Sequence, residues 1–263
     1  MPEAVHILPD SELEAFSPIS LEEMDSVKLL NRIDSKYLTD EETLLPLLRD
    51  ACKAGYRALE TDGSKIASYD TLYFDTPEHK MFLDHHNRRL TRQKVRTRVY
   101  VDSGLTFLEI KRKNNHGRTR KKRMAIPDGE FRNFASDTAA AEYLKAKSDY
   151  CAEDLTPSLE TLFRRITLVN PDKTERITID TGLSFKNPRN SGEGSLLNGV
   201  IIELKQDGHA GSQMKRILLD HRVKPIKVSK YCIGMTLTDK SIKSNRFKLK
   251  IRKIEKQISN KLT

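Results

Sequence analysis

The most constraining feature of this sequence is a strict alternation of side-chain character across residues 94–113, KVRTRVYVDSGLTFLEIKRK. Successive side chains of a β-strand point to opposite faces, and Ser103-Gly104 supplies a turn at the midpoint. One face carries Val95, Val99, Val101, Leu108 and Ile110, with Thr97 among them. The other face carries Lys94, Arg96, Arg98, Glu109, Lys111 and Lys113. The segment therefore predicts a β-hairpin with one core face and one charged face.

Two explanations of this charged face are open when the hairpin is considered alone. It can be the solvated side of an antiparallel sheet. Stacked cations repel across strands, however, and cost stability unless an anion lies among them. The alternation recurs in VIIELK (200–205), RITID (176–180) and LFRRITL (162–168). In the last segment it places Arg165 on the charged face and Arg164 on the apolar face, which favours Arg165 as the functional residue.

Helix signals lie between the predicted strands. Ser20 and Glu23 form a capping-box pattern, and Thr39 with Glu42 predicts the N-terminus of a second helix, which Gly55 ends.

Further along the chain, Pro77 predicts the start of a helical connection, and residues 128–150 are helical in pattern. A helix is predicted from about Gly211, then the extended segment KPIKVSKY (224–231), then a basic helix from about Met235.

The predicted strands number eight or nine, and most are joined by hairpins or single helices. This count indicates an α+β fold: an antiparallel β-barrel or strongly curved sheet with helices packed outside. Either the polar faces point outward and apolar side chains fill a small barrel, or cations line a water-filled tunnel. We expect a flexible segment over 1–18, a single domain over 19–240 and a basic C-terminal helix or tail over 241–263.

Charge composition points to anionic partners. The chain has 47 Lys and Arg against 37 Asp and Glu, a net charge of +10. Nucleic acid is disfavoured, because aromatic residues make up 6% of the chain and Trp is absent, which leaves few stacking platforms. The basic segment 240–257 could contact nucleic acid, an acidic membrane or polyphosphate, or be a solvated helix. Three scattered cysteines and no apolar run of about 18 residues predict a cytoplasmic chain without a transmembrane segment.

Two acidic residues interrupt the cationic faces. Glu109 and Glu203 each precede a Lys by two residues, as E-x-K on one strand face. Carboxylates beside bound phosphates often hold Mg²⁺ or Mn²⁺. Cross-strand salt bridges are the alternative explanation.

With these segments in view, the chain resembles the VTC (vacuolar transporter chaperone) domain, a branch of the CYTH or triphosphate tunnel metalloenzyme superfamily. The resemblance runs in order through RIDSKYL, YFDT, KVRTRVY, FLEIKRK, ERITID, VIIELK and KVSKY, about residues 30–240. It implies an eight-stranded antiparallel tunnel with a polar, cationic interior. In the polymerase members it implies polyphosphate synthesis from ATP with a divalent metal.

The resemblance also assigns roles to individual residues. It implies triphosphate-binding cations at Lys36, Arg96, Arg98, Lys111, Arg165 and Arg176. It implies further phosphate contacts at Lys121 or Lys122, Lys227, Ser229 and Lys230. Glu203 is implied as the metal ligand, with Glu109 as an additional candidate, and the metal as Mn²⁺ or Mg²⁺.

The sequence departs from the family pattern at two of these sites. Arg32 replaces the first acidic residue of the superfamily's E-x-E-x-K motif, which fits phosphoryl transfer better than two-metal hydrolysis. Phe163 stands where the polymerase members have a Tyr. We therefore expect a polyphosphate polymerase acting on ATP and polyphosphate. A triphosphatase on the same tunnel and a non-catalytic module for polyphosphate or inositol phosphates are the alternatives.

Overall fold

The computed structural model describes residues 11–25, 27, 32–196, 198–208 and 211–258. Within them the strands are short at the N-terminus and long in the centre of the chain. They are β1 (Pro18–Ile19), β2 (Arg32–Asp40), β3 (Arg57–Leu59), β4 (Ala67–Asp75), β5 (Arg92–Tyr100), β6 (Leu105–Lys113), β7 (Thr119–Ile126), β8 (Thr156–Val169), β9 (Glu175–Lys186), β10 (Glu193–Leu196) and β11 (Gly199–Asp207).

Eight of these strands form one continuous antiparallel path. Its order is β2-β11-β9-β8-β4-β5-β6-β7, while β1, β3 and β10 pair beside it. Within the described residues, no pairing joins the outermost strands β2 and β7. The path is a sheet curled into a half-barrel, which confirms the predicted α+β fold of eight antiparallel strands.

The helices follow the connections between strands. They are α1 (Ser11–Glu14), α2 (Leu21–Asp25), α3 (Glu41–Lys53), α4 (Lys80–His86), α5 (Thr138–Lys147), α6 (Gln213–Asp220), α7 (Lys230–Thr238) and α8 (Asn245–Gln257). None of the described helices is long and apolar enough to cross a membrane.

The outer face of the curled sheet is apolar and packs against helices, as the alternation predicts. Val95, Leu108 and Ile110 are buried in a cluster that includes Leu144 of α5. A second cluster joins β8, β9 and β11 to α3 and α6. Val101 differs from the prediction and is 53% exposed, because it lies past the end of β5, in the turn.

Leu162 of β8 is exposed although it lies on the predicted face. It shares the outer face with Ile166, as alternation predicts, yet it is 45% exposed. Strand β8 pairs with β4 without a shift from Leu159 to Arg165, so its alternation is unbroken there. The pairing of β8 with β9 does shift between Leu162 and Arg164, but the extra residue lies in β9.

The opposite, concave face of the sheet is called the inner face here; Lys36, Arg96 and Glu203 lie on it. This face is not lined by charge throughout. Helix α7 packs on part of it, with Tyr231 and Ile233 in one buried cluster with Leu38 and Phe163. A Cβ atom at Gly234 would lie 2.5 Å from Leu159 and 2.6 Å from Phe185, so α7 approaches the sheet as closely as glycine allows. The predicted water-filled interior is therefore partly filled by a helix.

Three helix starts differ from the sequence predictions. Asp40, not Thr39, caps α3, because its carboxylate accepts the Thr43 N–H at 2.8 Å. Helix α4 begins at Lys80 rather than at Pro77. There the buried Asp75 carboxylate accepts the backbone N–H groups of Met81 and Phe82.

The third difference lies in KPIKVSKY, which is not a strand. Pro225 makes only an isolated bridge to Tyr37, and Ser229 is the N-cap of α7. Met235 lies within α7, and the basic helix α8 begins later, at Asn245.

The capping box of α2 is confirmed by reciprocal hydrogen bonds between Ser20 and Glu23. The N-terminal residues 11–18 pack more closely than the predicted flexible segment implies, because Leu13 and Phe16 are buried against α3 and the sheet. Residues 1–10 lie outside the described part of the chain.

Candidate functional site

Strand register brings the predicted cations of the hairpin together on the inner face. Arg96 lies opposite Glu109, and Lys111 lies between Lys94 and Lys121 on the neighbouring strands. A row of three facing lysines is unfavourable without an anion. The sheet therefore concentrates positive charge where β5, β6 and β7 meet.

Glu109 balances part of this charge from a fully buried position. Arg96 Nε donates to Glu109 Oε2 at 2.7 Å, and Lys121 forms an ion pair with Oε1. Burial raises the pKa of Glu109, but the charges of Arg96, Arg98 and Lys121 outweigh it and hold the pKa far below its ordinary value. Burial lowers the pKa of Lys121 to about 8, despite the pairing with Glu109. Glu109 thus acts as a buried counter-ion for Arg96 and Lys121.

Glu203 forms a second charge centre between two lysines. It faces Lys36 directly across β2 and β11, and the two side chains form an ion pair. Its other oxygen accepts Lys205 Nζ at 2.7 Å. Burial raises the pKa of Glu203, yet Lys205 and Lys36 together hold it well below its ordinary value. Unlike Glu109, this carboxylate is 19% exposed at the side chain.

Asp180 organises a third centre. Arg165 donates to its two oxygens at 2.6 and 2.9 Å, and Lys230 Nζ lies 2.7 Å from Oδ2. Burial raises the pKa of Asp180, but Arg165 and Lys230 hold it far below its ordinary value. The bidentate contact fixes the guanidinium plane of Arg165.

Aromatic rings support the guanidinium groups from beside the charges. Tyr69 and Phe163 stack with ring centroids 5.2 Å apart. The Arg98 guanidinium lies 5.1 Å from the Tyr69 centroid, and that of Arg165 lies 5.3 Å from Phe163. Arg98 Nε also donates to Thr71 Oγ1 at 3.0 Å. Burial, together with the nearby charge of Arg96, lowers the pKa of Arg98 to about 10.

Three of the predicted cations face this surface without a counter-ion. Among the described residues, Arg98, Lys111 and Arg176 have no ion pair, and the pKa values of the last two are lowered as well. Arg96 and burial together hold the pKa of Lys111 well below its ordinary value. Burial, together with Arg32, lowers the pKa of Arg176. An anion bound here would relieve both repulsions.

The remaining predicted residues divide between the two sides of the fold. Ser229 caps α7 and accepts Lys94 Nζ at 2.7 Å, and Lys230 reaches Asp180, so both border the charged surface. Lys227 is exposed beside them. Lys122 lies opposite Ile110 on the outer face and is exposed, whereas Lys121 points inward. The structure therefore separates the two lysines between which the sequence left the choice open.

Three residues of this surface were not predicted as functional: Asp180, Lys205 and Lys94. Each lies on the inner face of its strand, so alternation alone places it there. Their partners could not be read from the sequence, since Asp180 pairs with residues 15 positions earlier and 50 positions later.

The surface suits a divalent cation only in part. Among the described residues, no group of three or more His, Cys, Asp or Glu side chains could hold a metal. Glu109 is fully enclosed by its cationic partners. Glu203 is the more exposed of the two predicted metal ligands, and Mg²⁺ or Mn²⁺ commonly binds through one or two carboxylates while substrate phosphates supply other ligands. Glu203 therefore fits a metal that is held jointly with phosphate.

Comparisons with known proteins agree with this fold. A proposed adenylate cyclase from Bacillus halodurans is similar at a TM-score of 0.51 and 12% identity, over 76% of this chain and 96% of that chain. A proposed adenylyl cyclase from Hippeastrum, described as having a dominant triphosphatase activity, has a TM-score of 0.49 and 12% identity, over 78% of this chain and 95% of that chain. The first similarity supports the curled sheet, and the second is too distant to add to the argument.

No curated protein matches the sequence significantly. The family model of the VTC domain matches residues 31–239, which confirms the resemblance found in the sequence. Because this match covers most of the chain and all eight strands of the continuous path, the chain belongs to the VTC domain family.

Proposed function

We propose that the protein is a polyphosphate polymerase, which transfers the γ-phosphoryl group of ATP to the end of a polyphosphate chain with Mn²⁺ or Mg²⁺. The observation that carries the proposal is Lys111, which lies on the inner face between Lys94 and Lys121 and has no ion pair among the described residues. Its neighbour Lys121 has a carboxylate partner in Glu109, and a phosphate group would supply the negative charge that Lys111 lacks.

The surrounding side chains divide the work of binding and charge neutralisation. Arg96, Arg98, Arg165 and Arg176 hold phosphate oxygens, and the rigid supports of Arg96 and Arg165 keep their guanidinium groups in place. Lys36 and Lys111 offset the charge that develops between donor and acceptor. Glu203 would hold the metal, which neutralises phosphate charge when bound. Phosphoryl transfer depends mainly on such positioning and electrostatics.

The proposed phosphoryl transfer does not require a general base. A terminal oxygen of polyphosphate attacks the γ-phosphorus of ATP and forms a P–O bond. The bond from that phosphorus to the β,γ-bridging oxygen breaks, and ADP leaves with the electron pair. The attacking oxygen is already ionised, whereas attacking water would have to lose a proton. Glu109, Glu203 and Asp180 have lowered pKa values and are weak bases, which supports transfer to phosphate over hydrolysis.

Product analysis tests the proposal directly. The purified protein is incubated with ATP and Mn²⁺, ADP is quantified, and chain length is followed on a gel. We expect ADP and long chains, and we expect Lys111→Met to lose both while it remains folded. Orthophosphate without chains would identify a triphosphatase. Tight polyphosphate binding without ADP under any metal would identify a non-catalytic binding module.

A further inference from the structure

A group of aromatic side chains borders the charged part of the inner face. Tyr69 lies opposite Tyr100, with ring centroids 4.9 Å apart, and Phe107 meets Tyr100 edge-on at 5.6 Å. The Arg123 guanidinium lies 4.8 Å from the Phe107 centroid. Tyr100 and Phe107 are half-buried. Both retain surface that another ring could cover.

Packing of the hydrophobic core does not account for these two rings. Tyr100 and Phe107 belong to none of the four hydrophobic clusters formed by the described residues. Beside one another and Tyr69, their neighbours on the inner face include cations, since Arg98 lies directly opposite Phe107. An aromatic surface beside guanidinium groups suits a flat, electron-rich ring system.

The position of these rings relative to the phosphate-binding cations is fixed by two strands. Arg98 and Arg96 precede Tyr100 by two and four residues on β5, and Glu109 and Lys111 follow Phe107 by two and four residues on β6. A strand advances about 3.3 Å per residue, so Lys111 lies about 13 Å from Phe107 along β6. The rings and the cations thus occupy every second position along the inner face of β5 and β6.

We propose that Tyr100 and Phe107, flanked by Arg123, form a stacking platform for the base of a nucleoside triphosphate. The inference rests on the proposed use of ATP and adds the subsite that would distinguish a nucleotide from inorganic triphosphate. The base stacks on the face of one ring and meets the other edge-on, because the two rings are inclined at 75°, and the phosphates extend along β5 and β6 past Arg98 and Arg96 toward Lys111. The γ-phosphate is then the group farthest from the platform and nearest to Glu203 and Lys36.

The proposed platform would contact a nucleobase by stacking against its flat face. Every nucleobase has such a face, so stacking alone confers little preference for one base. We therefore expect ATP and GTP to bind with similar affinity, and both to bind more tightly than tripolyphosphate.

Calorimetry with ATP and with tripolyphosphate, each at the same Mn²⁺ concentration, separates the base contribution from the phosphate contribution. Phe107→Leu keeps an apolar side chain of similar size but removes the π-face. We expect this variant to weaken ATP binding by at least about fivefold, the lower range of base–aromatic stacking, and to leave tripolyphosphate binding within about twofold. Val101→Ala, at an exposed position of the same hairpin, is the matched control and should change neither affinity.

Tyr100→Leu provides an independent second variant with the same expected selectivity. Equal losses for ATP and tripolyphosphate would overturn the platform, and so would unchanged ATP affinity in both variants. The binding measurement does not depend on turnover. If the protein makes no polyphosphate but loses ATP affinity selectively in Phe107→Leu, the platform stands and the polymerase proposal fails.

Discussion

Lys36 and Glu203 face each other directly across strands β2 and β11, and their side chains form an ion pair on the inner face. The second oxygen of Glu203 is held by Lys205. Glu203 is the most exposed of the three carboxylates that pair with the predicted cations of the inner face, at 19% against 0% for Glu109 and 5% for Asp180. In the proposed reaction its two lysines would release it toward a metal and pair with phosphate instead.

Glu203→Gln should reduce phosphoryl transfer while the protein remains folded. The variant removes the negative charge that would hold the metal, and it leaves two lysines with partial access to solvent. We expect at least about a tenfold loss of ADP formation at saturating ATP, where 1.4 kcal/mol of lost transition-state stabilisation already gives that factor. Rates measured over a range of Mn²⁺ concentrations check this result.

Glu109→Gln is the matched comparison. It leaves the buried Arg96 without its charged partner, so we expect a loss of about 3–5 kcal/mol of unfolding free energy. Urea denaturation of both variants separates the two roles. A larger stability loss in Glu203→Gln than in Glu109→Gln would contradict this assignment.

Phosphate binding should weaken as the pH rises above about 8. Burial lowers the pKa of Lys121 to about 8, so the side chain loses its charge near that pH in the unliganded protein. We expect the Kd for tripolyphosphate to rise progressively between pH 7 and 9. Lys121→Arg keeps the charge over this range, and its Kd should depend less on pH. An identical pH profile in the two proteins would exclude Lys121 as the titrating contact.

The same titration has the opposite sign for folding stability. A lysine in the unfolded chain keeps its proton to about pH 10.4, whereas folded Lys121 releases it near pH 8. The unfolded state therefore binds more protons between these values, and the unliganded fold gains stability from this group as the pH rises through the window. Denaturation at pH 7.5 and 9.5, compared with Lys121→Arg, measures that difference.

Phe163→Tyr should strengthen binding of the triphosphate group. Phe163 is buried beside Arg98, Arg165 and Lys230, so a hydroxyl on this ring would lie among the proposed phosphate contacts. One added hydrogen bond contributes about 0.5–1.5 kcal/mol, which corresponds to about a two- to tenfold lower KM for ATP. Phe185→Tyr, in the same hydrophobic cluster, should lower stability without improving KM.

Arg189→Lys should destabilise the fold without altering phosphate affinity. The Arg189 guanidinium donates to the backbone oxygens of Pro157, Thr76 and Asp75, at 2.9, 3.1 and 2.8 Å. A lysine lacks the planar set of N–H donors that reaches these three oxygens. We expect a loss of about 2–3 kcal/mol in the free energy of unfolding. Urea denaturation measures it, with the exposed Arg118→Lys as control. A loss below about 0.5 kcal/mol would contradict the role.

Alternation of side chains made the strand faces predictable from the sequence. It placed Lys121 and Lys122 on opposite faces of β7, and it placed Arg165 on the charged face, where Arg165 contacts Asp180. These inferences succeeded because the period of two is a local property of extended backbone. Exposure was less predictable than the face, since Leu162 keeps the predicted face of β8 but is 45% exposed.

Features that depend on packing between distant segments were not predictable in this way. The choice of Asp40 over Thr39 as the α3 cap depends on which residue leaves the strand with the right backbone geometry. The extended pattern of KPIKVSKY gave no sign that Ser229 would begin a helix, because propensity over eight residues yields to tertiary contacts.

Helix α7 fills part of the half-barrel with its apolar residues and presents Ser229 and Lys230 to the charged surface from its first turn. Gly234 allows it to lie directly on β8 and β9. The same short helix therefore fills part of the half-barrel and supplies two polar groups to the charged surface. We expect a buried substitution at the far end of this helix to weaken anion binding without touching any ligand. A displacement of the helix would also displace Ser229 and Lys230, which are two of the proposed phosphate contacts.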